Sequence, residues 1–435
     1  MLSSYVCSDP NTSRVCVVMV GLPARGKSLM SQKIVRYLKW RSISAKAFNI
    51  GNYRRKANAH PSADFFALSN DEGASLRRLA AQEALNDLVS WMDKEGGRVA
   101  IYDGTNSTKR RRAWIAEQLS QHNIHPLFIE SACENDEIIL NNIMDVKTTS
   151  PDYKGVDPQT AAKDFINRIE VYRKDYESIS SSEMISYLKI IDAGAQVVVN
   201  KVKSYLESHI VYYLMNLHIK PRRLWLSRHG ESEYNVLGLL GGNSNLSERG
   251  MMYAEKLPEL VANAVGDQPL TVWTSTLKRT QQTASKLPYQ QIQWKALDEL
   301  DAGVCDGLTY EEIQQKYPED FAARDENKFE YRYKGGESYR DVVTRLDPII
   351  MELERQENIL IVTHQAVLRC IYAYYMDVPQ EQSPWMNVPL HTLICLEPRA
   401  YGTIETRISA NIPAVSTFRA KGELPQHQEP DGQNA

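Results

Sequence analysis

The chain has no long hydrophobic run: nowhere among its 435 residues do apolar positions approach the ~18 in succession that a membrane-spanning helix needs. Its start carries no charged stretch followed by an apolar core, so a secretion signal is not expected. Cysteine is scarce. The six (Cys7, Cys16, Cys133, Cys305, Cys370, Cys395) never fall in CxxC spacing, which argues against a zinc site or a disulfide framework. They read as reduced thiols of a cytoplasmic protein. An excess of one charge is also missing: 51 Lys and Arg face 54 Asp and Glu, for a net −3. No global positive field would gather nucleic acid or an anionic membrane, so anionic small molecules must be held by local basic clusters. There is no repeat at a solenoid period. With 43% hydrophobic and 24% charged residues, the chain has the composition of folded protein, and its length suits two or three domains.

The first motif follows a continuous apolar run, Val15 to Val20, which reads as a buried strand. Gly21-Leu22-Pro23-Ala24-Arg25-Gly26-Lys27-Ser28 comes next, and a helical pattern runs from Lys27 to about Arg41. Strand, glycine loop and helix are the context that a phosphate loop requires. Its glycines let backbone N–H groups curl around phosphate at a helix N-terminus. Lys27 would reach the outer phosphates of ATP and the Ser28 hydroxyl would ligate the accompanying Mg²⁺. A second apolar run ends in Asp103, which suits an acid near the metal or the attacking hydroxyl, although a strand-terminal Asp is also a common turn residue. Further strands are expected at 45–50, 98–102, 126–130 and 187–192, alternating with helical segments such as 71–94 and 108–122. The alternation implies an α/β fold on a parallel sheet. Basic clusters at Arg54-Arg55, Arg77-Arg78, Lys109 to Arg112, and Lys147 with Arg168 include candidates for a clamp on a second phosphate.

Past the middle, another apolar strand runs into Arg228-His229-Gly230-Glu231-Ser232. His229 is then placed at a strand's C-terminal edge, where α/β proteins hold ligands. Arg228, Asn235 and Arg279 supply anion contacts, and Thr363-His364-Gln365 brings a second histidine to another strand end. Phosphoryl transfer to a neutral imidazole needs such groups, together with an acid for the leaving alcohol. Glu299 is the best candidate for that acid. Cys305, close by in sequence, has no flanking base and reads as a buried structural thiol. The boundary between the halves falls near Lys220, giving domains 1–220 and 221–435, with a mobile tail from about Phe418.

These elements resemble the histidine phosphatase superfamily, the phosphoglycerate mutase-like fold. Together with the phosphate-loop half, and with phrases such as Tyr53-Arg54-Arg55, Ser150-Pro151-Asp152-Tyr153 and Tyr212-Tyr213-Leu214-Met215-Asn216, the chain resembles the 6-phosphofructo-2-kinase/fructose-2,6-bisphosphatase family. That resemblance implies a P-loop NTPase-like domain followed by a phosphoglycerate mutase-like domain, and a homodimer. It implies Lys27, Ser28 and Asp103 around MgATP, with Asn142 to Lys147 along the nucleotide. Fructose 6-phosphate would meet Arg55, Arg77, Thr105, Arg111, Lys147, Arg168 and Tyr172. In the second half it implies His229 as nucleophile, Glu299 as proton donor, and Arg228, Asn235, Arg279 and His364 around the transferring phosphoryl group. Gly241, Tyr310, Arg324, Lys328, Tyr339, Gln365 and Arg369 would hold the sugar bisphosphate. A polynucleotide kinase joined to a phosphatase is disfavoured by the absence of a basic, aromatic-lined track.

Overall fold

The structure, a computed structural model, describes residues 13–57, 63–67, 69–135, 139–140, 143, 157–217, 222–399 and 402–421. The chain divides into two compact units, 1–219 and 220–435. Among the described residues, no helix is long and apolar enough to cross a membrane.

The first unit is built on a six-stranded sheet in the order β2-β3-β1-β4-β5-β6. Its strands are β1 (Val15–Val20), β2 (Ala45–Asn49), β3 (Val99–Asp103), β4 (His125–Ala132), β5 (Tyr187–Ile191) and β6 (Gln196–Asn200). Every residue of β1 is buried, as an apolar run covered on both faces should be. Because β1 lies between β3 and β4, the loop after it opens at the sheet's C-terminal edge, where connections diverge to either side. The expectation of a wholly parallel sheet needs correcting, since β6 runs antiparallel to β5 at the edge. A parallel partner would need a long crossover, and only four residues separate the two strands. Flanking helices start where short polar side chains can cap them. Asn70 accepts from the Gly73 N–H ahead of helix Asp71–Lys94, and Thr108 accepts from the Arg111 N–H ahead of helix Lys109–Ser120.

The second unit repeats the principle with the order β12-β11-β7-β10-β8-β9. Here the strands are β7 (Arg223–Arg228), β8 (Thr271–Thr274), β9 (Gln290–Gln293), β10 (Asn358–Thr363), β11 (Thr392–Arg399) and β12 (Gly402–Ser409). β7 through β9 are parallel, whereas β11 is antiparallel to both its neighbours. Parallel pairing of β7 with β10 sets Arg228 opposite Thr363. The residues that follow, His229 and His364, are thereby delivered to the same edge. A mobile tail from about 418 also needs correcting at its start: Arg419 is buried and forms a two-point ion pair with Asp325 at 2.6 and 3.0 Å. Residues from 422 onward lie outside those described.

Candidate active sites

In the first unit the glycine loop has the backbone that its sequence demands. Gly21 and Gly26 have φ of 138° and 73°, and a Cβ on Gly21 would lie 2.5 Å from the Ser131 carbonyl oxygen. The Ser28 hydroxyl donates to Asp103 Oδ2 at 2.8 Å, and the Asn49 amide donates to the same oxygen at 2.6 Å. Lys27 is buried and donates to the Leu22 carbonyl at 2.6 Å. Burial lowers its ammonium to about 8 against the pull of Asp103, while burial raises the Asp103 carboxyl against Ser28 and Lys27. Lys27, Ser28 and Asp103 therefore stand together as expected. Arg25 turns inward instead, donating to the carbonyls of Cys133 and Pro23.

The expected sugar-phosphate residues are placed unevenly. Arg168 lies 3.8 Å above the Phe66 ring, and Tyr172 packs against the same ring at 5.6 Å. Arg77 donates to the carbonyls of Phe65 and Ala67, so these three share one wall. Arg111 donates to the Tyr102 hydroxyl at 2.9 Å and stacks on Trp114. Thr105 holds the loop by accepting from the Gly21 N–H at 3.0 Å. Arg55 is half-buried on helix Ile50–Ala57. Arg112, in the same cluster as Arg111, is a core residue, fully buried and paired two-point with Glu183 at 2.7 and 2.8 Å. Asn142 and Lys147 fall outside the described residues.

The second unit holds a cavity of about 470 Å³. Arg228, His229, Asn235, Gly241, Arg279 and Glu299 line it, as do Tyr310, Arg324, Lys328, Tyr339, Gln365 and Arg369. His364 stands just behind, its ring 5.2 Å from that of His229, with Nε2 against the Ser275 hydroxyl at 2.8 Å. All thirteen expected residues of this half thus converge.

His229 Nδ1 lies 2.7 Å from the carbonyl of Gly230, an acceptor only, so Nδ1 carries the proton and Nε2 keeps its lone pair. Burial, then Arg279 and Arg228, holds this imidazole well below its ordinary pKa. It is neutral at physiological pH. Glu299 rests on the first turn of helix Gln365–Met376, accepting from the N–H groups of Gln365 and Ala366 at 3.1 and 3.2 Å. Arg345 fixes the loop behind it through the carbonyls of Asp298 and Glu299. Burial, then Arg369, lowers the Arg228 guanidinium to about 9 against the pull of Glu299. Lys328 is lowered strongly by burial and by Arg324, Arg369 and Arg419. This is a site crowded with cations and short of anions. Cys305 is buried with its thiol raised by burial, which bears out the structural reading.

Sequence reasoning missed several residues of this site. Arg419 and Thr417 line the cavity, and Thr417 accepts from Arg228 at 2.7 Å. Glu231 and His391 brace the loop of His229 from below. Glu231 stood within the quoted motif, so that much of the signal was present; His391 lies in no motif at all.

Residues 3–221 match the family 6-phosphofructo-2-kinase, and residues 224–410 match the Histidine phosphatase superfamily (branch 1). The rat protein 6-phosphofructo-2-kinase/fructose-2,6-bisphosphatase 3 is 47% identical over 94% of this chain and 75% of its own length. The chain belongs to the 6-phosphofructo-2-kinase/fructose-2,6-bisphosphatase family. Its human member 1 is 47% identical over 94% of this chain and 88% of that protein. A Saccharomyces cerevisiae relative, 59% identical over 95% of this chain and 93% of its own length, is named for the phosphatase alone, fructose-2,6-bisphosphatase. The kinase half of this bifunctional enzyme holds the glycine loop, and its phosphatase half holds the cationic cavity.

Proposed function

We propose that the first unit makes fructose 2,6-bisphosphate from ATP and fructose 6-phosphate, and that the second hydrolyses it through a phosphohistidine at His229. The observation that carries the second step is the His229 ring: its Nδ1–H is committed to Gly230, leaving the Nε2 lone pair beside two arginines. Nε2 forms a bond to the phosphorus of the 2-phosphate as the bond to the C2 oxygen breaks, and Glu299 gives that oxygen a proton. Arg228, Arg279, Asn235 and His364 offset the charge on the transferring oxygens. Water then attacks phosphorus, its proton passes to Glu299, and the N–P bond breaks. Arg324, Lys328 and Arg369 suit the sugar's other phosphate, with Gly241, Tyr310, Tyr339 and Gln365 around the sugar.

In the kinase half Lys27 would meet the outer phosphates and Asp103 would orient the attacking hydroxyl or the metal. Ser28 and Asp103 present hard oxygen donors, which fit the Mg²⁺ that accompanies ATP; when bound, the ion would neutralise phosphate charge. Arg77, Arg168 and Tyr172 would hold fructose 6-phosphate, with Arg55, Thr105, Arg111 and Lys147 as further contacts. A homodimer resident in the cytoplasm completes the proposal; sedimentation and cell fractionation test it.

The deciding experiment uses fructose 2,6-bisphosphate labelled at the 2-phosphate. Rapid denaturation should yield phosphoprotein that survives alkali and is lost in acid. His229→Ala should form none, and Glu299→Gln should form it slowly. Acid-labile phosphoprotein on His229→Ala would place the nucleophile elsewhere.

A further inference from the structure

After β12 the chain returns along the phosphatase cavity, and its residues Val415 to Arg419 line it. What holds this segment also holds the loop of His229. Glu231, two positions beyond His229, is fully buried. Its carboxylate accepts from the Val415 N–H at 2.8 Å, the Ser247 hydroxyl at 2.7 Å and Arg249 at 2.9 Å. The N–H of Glu231 itself donates to Nε2 of His391 at 2.9 Å. Nδ1 of His391 lies 3.1 Å from the Ile412 carbonyl, at the root of the same segment.

Those two contacts have opposite sense. A backbone N–H can only donate and a carbonyl can only accept, so the ring must accept at Nε2 and donate at Nδ1. One neutral tautomer does both. The ring is buried and stacked on Tyr253 at 4.9 Å, and the Tyr253 hydroxyl in turn meets Ser227, the residue before Arg228, at 2.7 Å. A histidine that merely filled space would not need directed bonds to two elements that both carry cavity residues.

We propose that His391 is a positioning residue of the phosphatase reaction: its Nδ1–H tautomer ties the His229 loop to the segment 411–419 and holds both in one geometry. The inference rests on reading His229 as the nucleophile. An apolar ring of similar volume would fill the space, yet it would leave the Glu231 N–H and the Ile412 carbonyl without these partners. The loop would then settle elsewhere, and small displacements of a reacting group are costly in rate.

The test compares His391→Leu, His391→Gln and His229→Ala in single-turnover phosphohistidine formation at saturating fructose 2,6-bisphosphate. His391→Leu is expected to slow the step by about 10²-fold, with KM changing far less. His391→Gln, whose amide can accept from Glu231 and donate to Ile412, should recover most of that rate. A wild-type rate in His391→Leu, with His229→Ala inactive, overturns this inference alone. So does equal slowing of Leu and Gln variants that melt like the wild type. Phosphohistidine on His229→Ala overturns the reading beneath it. Should the Leu variant fail to fold, nitrogen-15 spectra of the wild-type histidines decide: a proton on Nδ1 and none on Nε2 of His391 is expected, and a proton on Nε2 refutes the strut.

Discussion

Lys27 is folded back onto the carbonyl of its own loop and, with its ammonium lowered to about 8, is poorly satisfied as a cation before any phosphate arrives. Phosphate charge would raise that pKa again, so binding at mildly alkaline pH should draw a proton from buffer. Titration calorimetry with ATP near pH ~8.5 should give heats that vary with the buffer's ionisation enthalpy. Around pH ~6.5 the share of that dependence due to Lys27 should vanish, because the lysine is already charged in both states. Lys27→Ala should abolish the linkage and lower kinase turnover by orders of magnitude while the bisphosphatase rate survives. Equal loss of both activities in folded protein would refute two independent sites.

At the scale of elements, the cavity wall opposite His229 is assembled from helix Pro318–Glu326, the loop after it, helix Gln365–Met376 and the returning segment. These bring Arg324, Lys328, Arg369 and Arg419 close enough that three arginines lower Lys328 in addition to its burial. Asp325 pairs with Arg324 and Arg419 and pulls on Lys328 less than the arginines push, while Lys328 donates to the Pro384 carbonyl and lies over the Trp385 ring. A doubly charged phosphate is the natural complement. Lys328→Met should therefore raise KM for fructose 2,6-bisphosphate about tenfold or more, the equivalent of the ~1.5 kcal/mol or above that a charged hydrogen bond supplies. The rate of phosphohistidine formation at saturation should change much less. If that rate collapses while KM holds, Lys328 acts on the reacting phosphate instead.

Elements differed in how plainly the sequence announced them. Apolar runs flanked by turns marked β1, β3, β7 and β10, and these are the strands that aim Asp103, His229 and His364. β6 and β9 were missed: Gln290–Gln293 is exposed at all four positions, so no apolar alternation marks it, whereas the three valines of Gln196–Asn200 did carry a strand signal, in a short edge strand only partly buried. Helix Pro158–Arg173 was not among the helices named from the sequence. Within the site, residues next to a motif were legible and residues brought in by the returning chain were not. The bond from Glu231 to His391 spans 160 positions, and that from Arg228 to Thr417 spans 189. Contacts of that range depend on the path of the fold, which local pattern does not encode.

Taken whole, the chain is two units whose described sites share no side chains, and the second carries a distinctive liability to acid. His229, His364 and His391 are all held below the ordinary imidazole pKa of 6.5, with burial the leading cause in each. Well above that pH neither the folded nor the unfolded chain binds these protons, and the stability they favour is fully present. As pH falls through about 6.5 the unfolded chain takes them up while the folded one refuses, so stability drains away until the folded pKa values are passed. The unfolding midpoint of the phosphatase unit should fall between pH ~7.5 and ~5.5, and less steeply in His391→Gln. A midpoint independent of pH would show that folded and unfolded chains take up these protons alike, so that burial does not lower the three imidazoles.

One bond in that unit gives its reactive loop a clock. The His229 N–H donates to the Thr363 carbonyl at 2.9 Å, extending the pairing of β7 with β10 by one residue into the site. Deuterium can enter that amide only when the two central strands part, an event near global unfolding, whereas the amides of Thr417 and Phe418 need only local lifting of the returning segment. The first should keep its hydrogen for orders of magnitude longer than the others.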